Sequence, residues 1–256
     1  MKNVTLLKVK EIDKKFGGIH AVSHLNVSIN KGEIVGMIGP NGSGKTTFLN
    51  LLSGIYRPDS GKIEFKNEDI TALTPYNIVE KGITRTFQNL RIFRNISVLE
   101  NILIGRHHLI KNSLLNVYFN PFLASRREKY AYLKAIEVLK LVDLAKEKDE
   151  LARNLPYGKQ RLLEIARALI AEPDLLLLDE PTAGMNTKEA ITLCVFLKEL
   201  KEKGFTLFVI EHNMKAIMGI SDKIIVLNAG GKLKEGIPRE IQRDKQVQEI
   251  YLGKEE

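Results

Sequence analysis

Gly39-Pro40-Asn41-Gly42-Ser43-Gly44-Lys45-Thr46 fits the phosphate-binding pattern G-x-x-x-x-G-K-[ST], and its surroundings decide the fold. An apolar run, Ile34 to Ile38, precedes it and reads as a buried strand; a helix-like stretch, Lys45 to Leu52, follows. Glycines let the backbone wrap closely around phosphate oxygens, and successive N–H groups form a nest for an anion. A helix starting near Gly44 adds its positive dipole end to the same spot. In this pattern Lys45 reaches the terminal phosphates as a point charge, and the Thr46 hydroxyl faces Mg²⁺. The segment implies a bound nucleoside triphosphate.

A second segment, Leu175-Leu176-Leu177-Leu178-Asp179-Glu180, is a four-leucine run between Pro173 and Pro181 that ends in two carboxylates. So short an apolar run suits a strand buried on both faces of a parallel sheet. Asp179 at its carboxyl end would hold Mg²⁺ through a water, and Glu180 would orient or deprotonate the attacking water. A third segment, Val209-Ile210-Glu211-His212, places a histidine just past another apolar run.

Working outward, residues 4–31 alternate around a turn at Gly17-Gly18 and read as antiparallel strands, as does Gly61 to Phe65. From about residue 92 to 165 the strand signals fade and a helical period appears in Tyr130, Leu133, Ile136, Val138, Leu139 and Val142, with a break at Asn120-Pro121. Strand and helix then alternate over 174–178, 187–203, 205–210, 212–220 and 223–227, which argues for a parallel sheet with crossover helices. A turn at Asn228 to Gly231 and two short amphipathic stretches follow. The expected fold is therefore α/β: a P-loop core with a parallel sheet, a small antiparallel β subdomain and an inserted helical subdomain. The core is expected over 1–91 and 166–256, and the insertion over 92–165.

Composition narrows the class. At 256 residues the chain is long enough to bury a sizeable core. No apolar stretch reaches the ~18 residues of a membrane span, and Met1-Lys2-Asn3 leads into a mixed charged segment unlike a secretory signal. The single Cys194, in an apolar helical context, reads as a packed thiol and excludes an intrachain disulfide, consistent with a reducing cytoplasmic setting. The net charge of +8 is spread among glutamates, as in Lys198-Glu199-Leu200-Lys201-Glu202-Lys203, the pattern of a solvated helix face. Direct nucleic-acid binding is not expected. No cluster has metal-ligand spacing, so Mg²⁺ is expected to arrive with the nucleotide. His20, His24, His107 and His108 receive no catalytic assignment.

From Thr5 to Gly253 the chain resembles the ATP-binding subunit of an ABC transporter. The resemblance rests on the two phosphate and magnesium segments, on Gln88 in Arg85-Thr86-Phe87-Gln88-Asn89, on Leu155 to Arg161 ahead of Glu164-Ile165-Ala166-Arg167-Ala168-Leu169, and on His212. Within that family it is most similar to cassettes serving branched-chain amino acid uptake, through Phe16-Gly17-Gly18-Ile19-His20-Ala21-Val22, Ala183-Gly184-Met185-Asn186, Glu211-His212-Asn213-Met214 and Ile250-Tyr251-Leu252-Gly253.

The resemblance implies ATP and Mg²⁺ as cofactors. It assigns Phe16 to stacking on adenine; Phe16, Val22, Gly39, Pro40, Asn41, Gly42, Ser43, Gly44, Lys45, Thr46 and Thr47 form the nucleotide set. Thr46, Gln88 and Asp179 form the metal set, and Lys45, Gln88, Glu180 and His212 the catalytic one. Without it, Phe16 would read as a core side chain, Gln88 as a loop residue and His212 as structural. Leu155-Pro156-Tyr157-Gly158-Lys159 stands where the family commonly reads Leu-Ser-Gly-Gly-Gln, the segment that meets ATP held by a partner cassette. Tyr157 fits the branched-chain subgroup, but Pro156 removes the serine hydroxyl that contacts the γ-phosphate. A proline is tolerated near a helix start, so only the ligand contact is lost. Asn186 likewise stands in place of an aspartate.

The implied partners are a second cassette, identical or paralogous, transmembrane permease subunits and, indirectly, a solute-binding protein. The implied place is peripheral, on the cytoplasmic face of the membrane. Leu90-Arg91-Ile92-Phe93 reads either as a buried link or as part of a dock for a permease helix over 88–104. Two other classes fit parts of the chain. A soluble ABC ATPase of DNA repair or translation would carry a long coiled-coil insertion or two cassettes, and neither is present. A nucleotide-gated interaction module with weakened hydrolysis agrees with Pro156 but not with intact Lys45, Asp179, Glu180 and His212.

Overall fold

The computed structural model describes residues 4–106 and 121–252; His107, His108, Asn120 and Gly253 lie outside them. The chain divides into two compact units, one made of 1–85 with 174–256 and one of 86–173, against the expected 92–165 for the insertion.

The first unit contains two sheets. β1 (Thr5–Phe16) and β2 (Ile19–Asn30) pair antiparallel across Gly17-Gly18, and β4 (Ser60–Phe65) and β5 (Glu68–Asp69) complete a sheet ordered β2-β1-β4-β5. Between them in sequence come β3 (Ile34–Ile38) and α1 (Lys45–Leu52). The second sheet adds β6 (Ile83–Arg85), β7 (Leu175–Asp179), β8 (Thr206–Ile210), β9 (Lys223–Asn228) and β10 (Gly231–Gly236), in the order β10-β9-β3-β8-β7-β6. Only β10 runs antiparallel to its neighbour; the other five strands are parallel.

Every residue of β3, β7 and β8 is buried, as continuous apolar runs covered on both faces require. Their alternation directs Val35, Met37, Leu175, Leu177, Phe208 and Ile210 into one core with Leu7, Val27, Ile63 and Phe65 of the antiparallel sheet. Phe48 and Leu52 of α1 fill the space between, and the Phe48 ring meets Phe208 edge-on at 5.8 Å. The phosphate loop is thus carried by an element locked into the main core.

The remaining helices of this unit are α2 (Pro75–Lys81), α6 (Thr187–Glu202), α7 (Met214–Ile220), α8 (Pro238–Arg243) and α9 (Lys245–Leu252). Asn186 explains itself at the start of α6: its side chain accepts from Glu189 N–H at 3.0 Å while Glu189 accepts from Asn186 N–H at 3.0 Å, a reciprocal cap. β6 and α2 escape a sequence reading because three and seven residues are too few to show a period.

The second unit holds α3 (Val98–Gly105), α4 (Pro121–Leu141) and α5 (Tyr157–Leu169). Ser97 and Glu100 form a reciprocal cap on α3, and Pro121 occupies the first turn of α4, where its missing N–H costs nothing. Ala131, Ala135 and Leu139 of α4 are buried with Val98, Ile102, Leu163 and Ala166. Asn101 is fully buried and holds the preceding loop: its amide donates to Phe93 O and Ser97 O at 2.9 Å each, and its oxygen accepts from Phe93 N–H at 2.8 Å. The Phe93 ring itself is half-exposed. None of the described helices is long and apolar enough to cross a membrane.

Candidate nucleotide site

The site of the first unit forms where β3, β7 and β8 end. Gly44 is the residue before α1, with φ +101°, and a Cβ there would stand 2.1 Å from Ala21 O, so only glycine fits. Val22 is fully buried beneath this point, backing the loop from inside. Asn41, Gly42 and Thr46 are exposed, Pro40 and Thr47 half-buried, and Gly39 and Ser43 buried.

Two side chains are drawn into the loop. Lys45, 5% exposed, bends its Nζ back to Gly39 O at 2.7 Å and Pro40 O at 2.9 Å, so the ammonium sits under the loop. Ser43 Oγ is buried, and among the described residues it has no hydrogen-bond partner. A hydroxyl so placed is costly unless a ligand satisfies it. Burial lowers the Lys45 pKa, opposed by the Glu180 and Asp179 carboxylates. Those carboxylates are therefore close enough to act on the ammonium.

Asp179 ends β7 almost fully buried. Its Oδ2 accepts from Arg85 Nη2 at 2.8 Å, and Arg85 Nη1 also donates to Asn50 Oδ1 at 2.6 Å and Ser53 Oγ at 3.1 Å. One guanidinium from the edge strand β6 thus ties the end of β7 to α1. The signal for it is a charged residue closing a three-residue strand, legible only once β6 is known.

Glu180 turns the chain out of the sheet at φ +49°, a left-handed conformation uncommon for a residue with a side chain. Its N–H donates to Ile210 O at 2.9 Å, and its Oε1 lies 2.9 Å from His212 Nε2. A carboxylate and an imidazole at the ends of adjacent strands can jointly hold a water and accept its proton. Glu211, between Ile210 and His212, is 3% exposed, and the sequence marks it only as part of a family-like segment. Phe16 is 42% exposed, with its ring edge-on to Tyr56 at 5.2 Å and Lys14 Nζ over the ring at 5.5 Å from its centroid.

Gln88 and Leu155 to Lys159 belong to the second unit. Gln88 is exposed, and its carbonyl is held by Arg161 Nη2 at 2.9 Å, while Arg161 Nη1 donates to Phe87 O at 2.9 Å and to Glu164 Oε2 at 2.8 Å. This fully buried arginine fixes the backbone that carries Gln88. Pro156 is the residue before α5, with φ −55° and ψ 153°, and its O accepts from Gln160 N–H at 3.0 Å. Leu155 and Gly158 are buried, Tyr157 is 40% exposed, and Lys159 pairs with Glu147. Helix α5 therefore starts normally but presents no side-chain oxygen at its cap.

With this geometry in place, residues 22–183 match the family model described as ABC transporter. The chain belongs to the ABC transporter family. It is 41% identical over 251 residues to the high-affinity branched-chain amino acid transport ATP-binding protein BraF of Pseudomonas aeruginosa, covering 97% of this chain and 98% of that one. Its identity to the corresponding protein LivG of Escherichia coli is 40% over 249 residues, with 97% and 98% covered. The crystal structure of the ADP conformation of MJ1267, an ATP-binding cassette of an ABC transporter, superposes with a TM-score of 0.86 at 33% identity, over 98% of this chain and all of that one. The mixed α/β architecture is that of such cassettes.

Proposed function

We propose that this chain binds and hydrolyses ATP to power uptake of branched-chain amino acids, as the cassette subunit of a membrane transporter. The observation that carries the reading is the Glu180–His212 pair, 2.9 Å apart, at the strand ends beside a loop whose buried Lys45 and Ser43 await an anion. The names of BraF and LivG support the solute class.

Backbone N–H groups at the start of α1 would bind the β- and γ-phosphates, and Lys45 would exchange two loop carbonyls for phosphate oxygens. Ser43 Oγ would gain a partner, and the exposed face of Phe16 would stack on the base. In the first unit Thr46 and Asp179 would supply the hydroxyl and carboxylate oxygens that suit Mg²⁺, which when bound neutralises phosphate charge; Gln88 of the second unit carries an amide oxygen of the same kind. Glu180 would accept the proton of the attacking water, and His212 would hold the pair's geometry at the terminal phosphate.

The assembly proposed is a pair of cassettes, each presenting Leu155 to Lys159 to ATP on the other, docked by permease subunits on the cytoplasmic face of the membrane. The segment Leu90 to Phe93, with a half-exposed Phe93 held by buried Asn101, supports a dock more than a buried link. The decisive experiment reconstitutes the chain with its membrane subunits and measures ATP turnover alongside uptake of labelled leucine, isoleucine and valine. Turnover without stimulated uptake of any of the three would overturn the solute class; no turnover would overturn the hydrolytic role.

A further inference from the structure

Glu211 follows the apolar residues Leu207 to Ile210 and is itself buried, although its side chain ends in a carboxyl group. Its Oε1 accepts from Thr182 N–H at 2.8 Å and its Oε2 faces Asn213 N–H at 3.4 Å. Thr182 stands two residues after Glu180, and Asn213 one residue after His212. One carboxylate therefore spans the two turns that carry the paired side chains. The Glu180 turn needs such support, because φ +49° is a conformation that surrounding bonds must hold in place. Packing alone would favour an apolar residue, which escapes the desolvation a buried carboxylate suffers. A carboxylate has only acceptor oxygens, so it suits two backbone N–H groups that converge on it from the two turns. Asn213 continues the framework by accepting from Ala216 N–H at 3.2 Å at the start of α7.

We propose that Glu211 is a positioning residue: it ties the turn after β7 to the turn after β8 and thereby sets the Glu180–His212 geometry, without itself touching nucleotide. The proposal rests on the hydrolytic reading of that pair. Glu211 acts on the rate and not on affinity, since Lys45 is held within the phosphate loop itself, on Gly39 O and Pro40 O.

The test uses the chain in its transport complex. Glu211→Gln keeps the shape but turns one acceptor into an amide donor facing an N–H, and should lower kcat roughly 10-fold while leaving KM for ATP within about 2-fold. In a His212→Ala background the same change should cost little more, because both act through one unit. Glu211→Asp, which withdraws the carboxylate by one methylene, should lose turnover as well. Wild-type kcat in folded Glu211→Gln or Glu211→Asp, or an equal further loss in the His212→Ala background, would overturn the proposal. Two readings need no hydrolysis. The Thr182 and Asn213 amides of the wild-type chain should be protected from hydrogen exchange, and the ring nitrogen shifts of His212 should move in Glu211→Gln. Free exchange at both amides or unmoved shifts would also defeat the tether, whereas a wild-type complex that fails to hydrolyse ATP defeats the hydrolytic reading alone.

Discussion

Two helix starts invite comparison, α1 after Gly44 and α5 after Pro156. Both present a dipole end and first-turn N–H groups, the generic equipment for an anion. The first is furnished further: a buried ammonium, a buried hydroxyl with no partner among the described residues, and a position before the helix that only glycine fits, because a Cβ would strike Ala21 O. The second has no side-chain cap, because Pro156 offers neither side-chain oxygen nor N–H. The difference teaches that one helix start gathers buried side-chain groups around its first turn and the other does not. On the proposed function, these are the two halves that close on each ATP.

The largest expected effect separates chemistry from binding at the furnished end. Glu180→Gln preserves shape and removes the base, so turnover should fall by about 10²–10⁴ while ATP affinity holds. Single-turnover hydrolysis with an equilibrium binding measurement checks both halves. Normal turnover in this variant would remove Glu180 from the chemistry and leave the Glu180–His212 contact a structural one. The same variant with Mg-ATP should sediment as a cassette pair and separate with ADP; a pair indifferent to nucleotide would break the comparison, since neither helix end would then be meeting phosphate.

Next in size is Lys45→Ala, which strips the furnished end of its charge. A charge-assisted phosphate bond is worth about 1.5–3 kcal/mol, or roughly one to two decades in affinity. Titration with a fluorescent ATP analogue reads it directly. An affinity unchanged by this substitution would mean that the backbone nest and helix dipole suffice, and the two helix starts would be equivalent after all.

How far each end could be read from sequence follows from what sequence encodes. The phosphate loop, the four-leucine strand and the alternation after residue 174 are local patterns, and β3, α1, β7, β8 and β9 stand where those patterns put them. The supports are not local. Arg85 reaches Asn50, Ser53 and Asp179, and Glu211 reaches Thr182, contacts that exist only once the strand order β3-β8-β7-β6 brings distant segments side by side. Arg161 and Glu164 look like two charges on an amphipathic helix, yet both are buried, holding the Phe87 and Gln88 carbonyls and the Arg91 N–H. Charge in a sequence suggests solvent; here tertiary partners satisfy it inside.

The smallest expected effect sharpens the comparison by making the bare end resemble the furnished one. Pro156→Ser restores a hydroxyl where the family commonly has one, at a cap position where serine is also the better residue for the helix itself. The backbone there is already extended, at φ −55° and ψ 153°, so serine fits without rearrangement. The new oxygen can cap α5 in the free chain or donate to a γ-phosphate in the closed pair. These two uses compete, so the gain in closure should stay below the full value of one charge-assisted bond, about 10-fold at most. Where the partner is a paralogue with its own serine, the gain falls on ATP bound to that partner, because this chain's α5 meets the other loop. The site on this chain's own Lys45 and Glu180 should then be the better hydrolytic one, and Pro156→Ser should even out the two. Turnover measured with the base removed from one cassette at a time resolves the sites. If Pro156→Ser raises neither turnover nor ATP-driven pairing at either site, the bare start of α5 does not weaken closure, and its backbone N–H groups alone complete the contact.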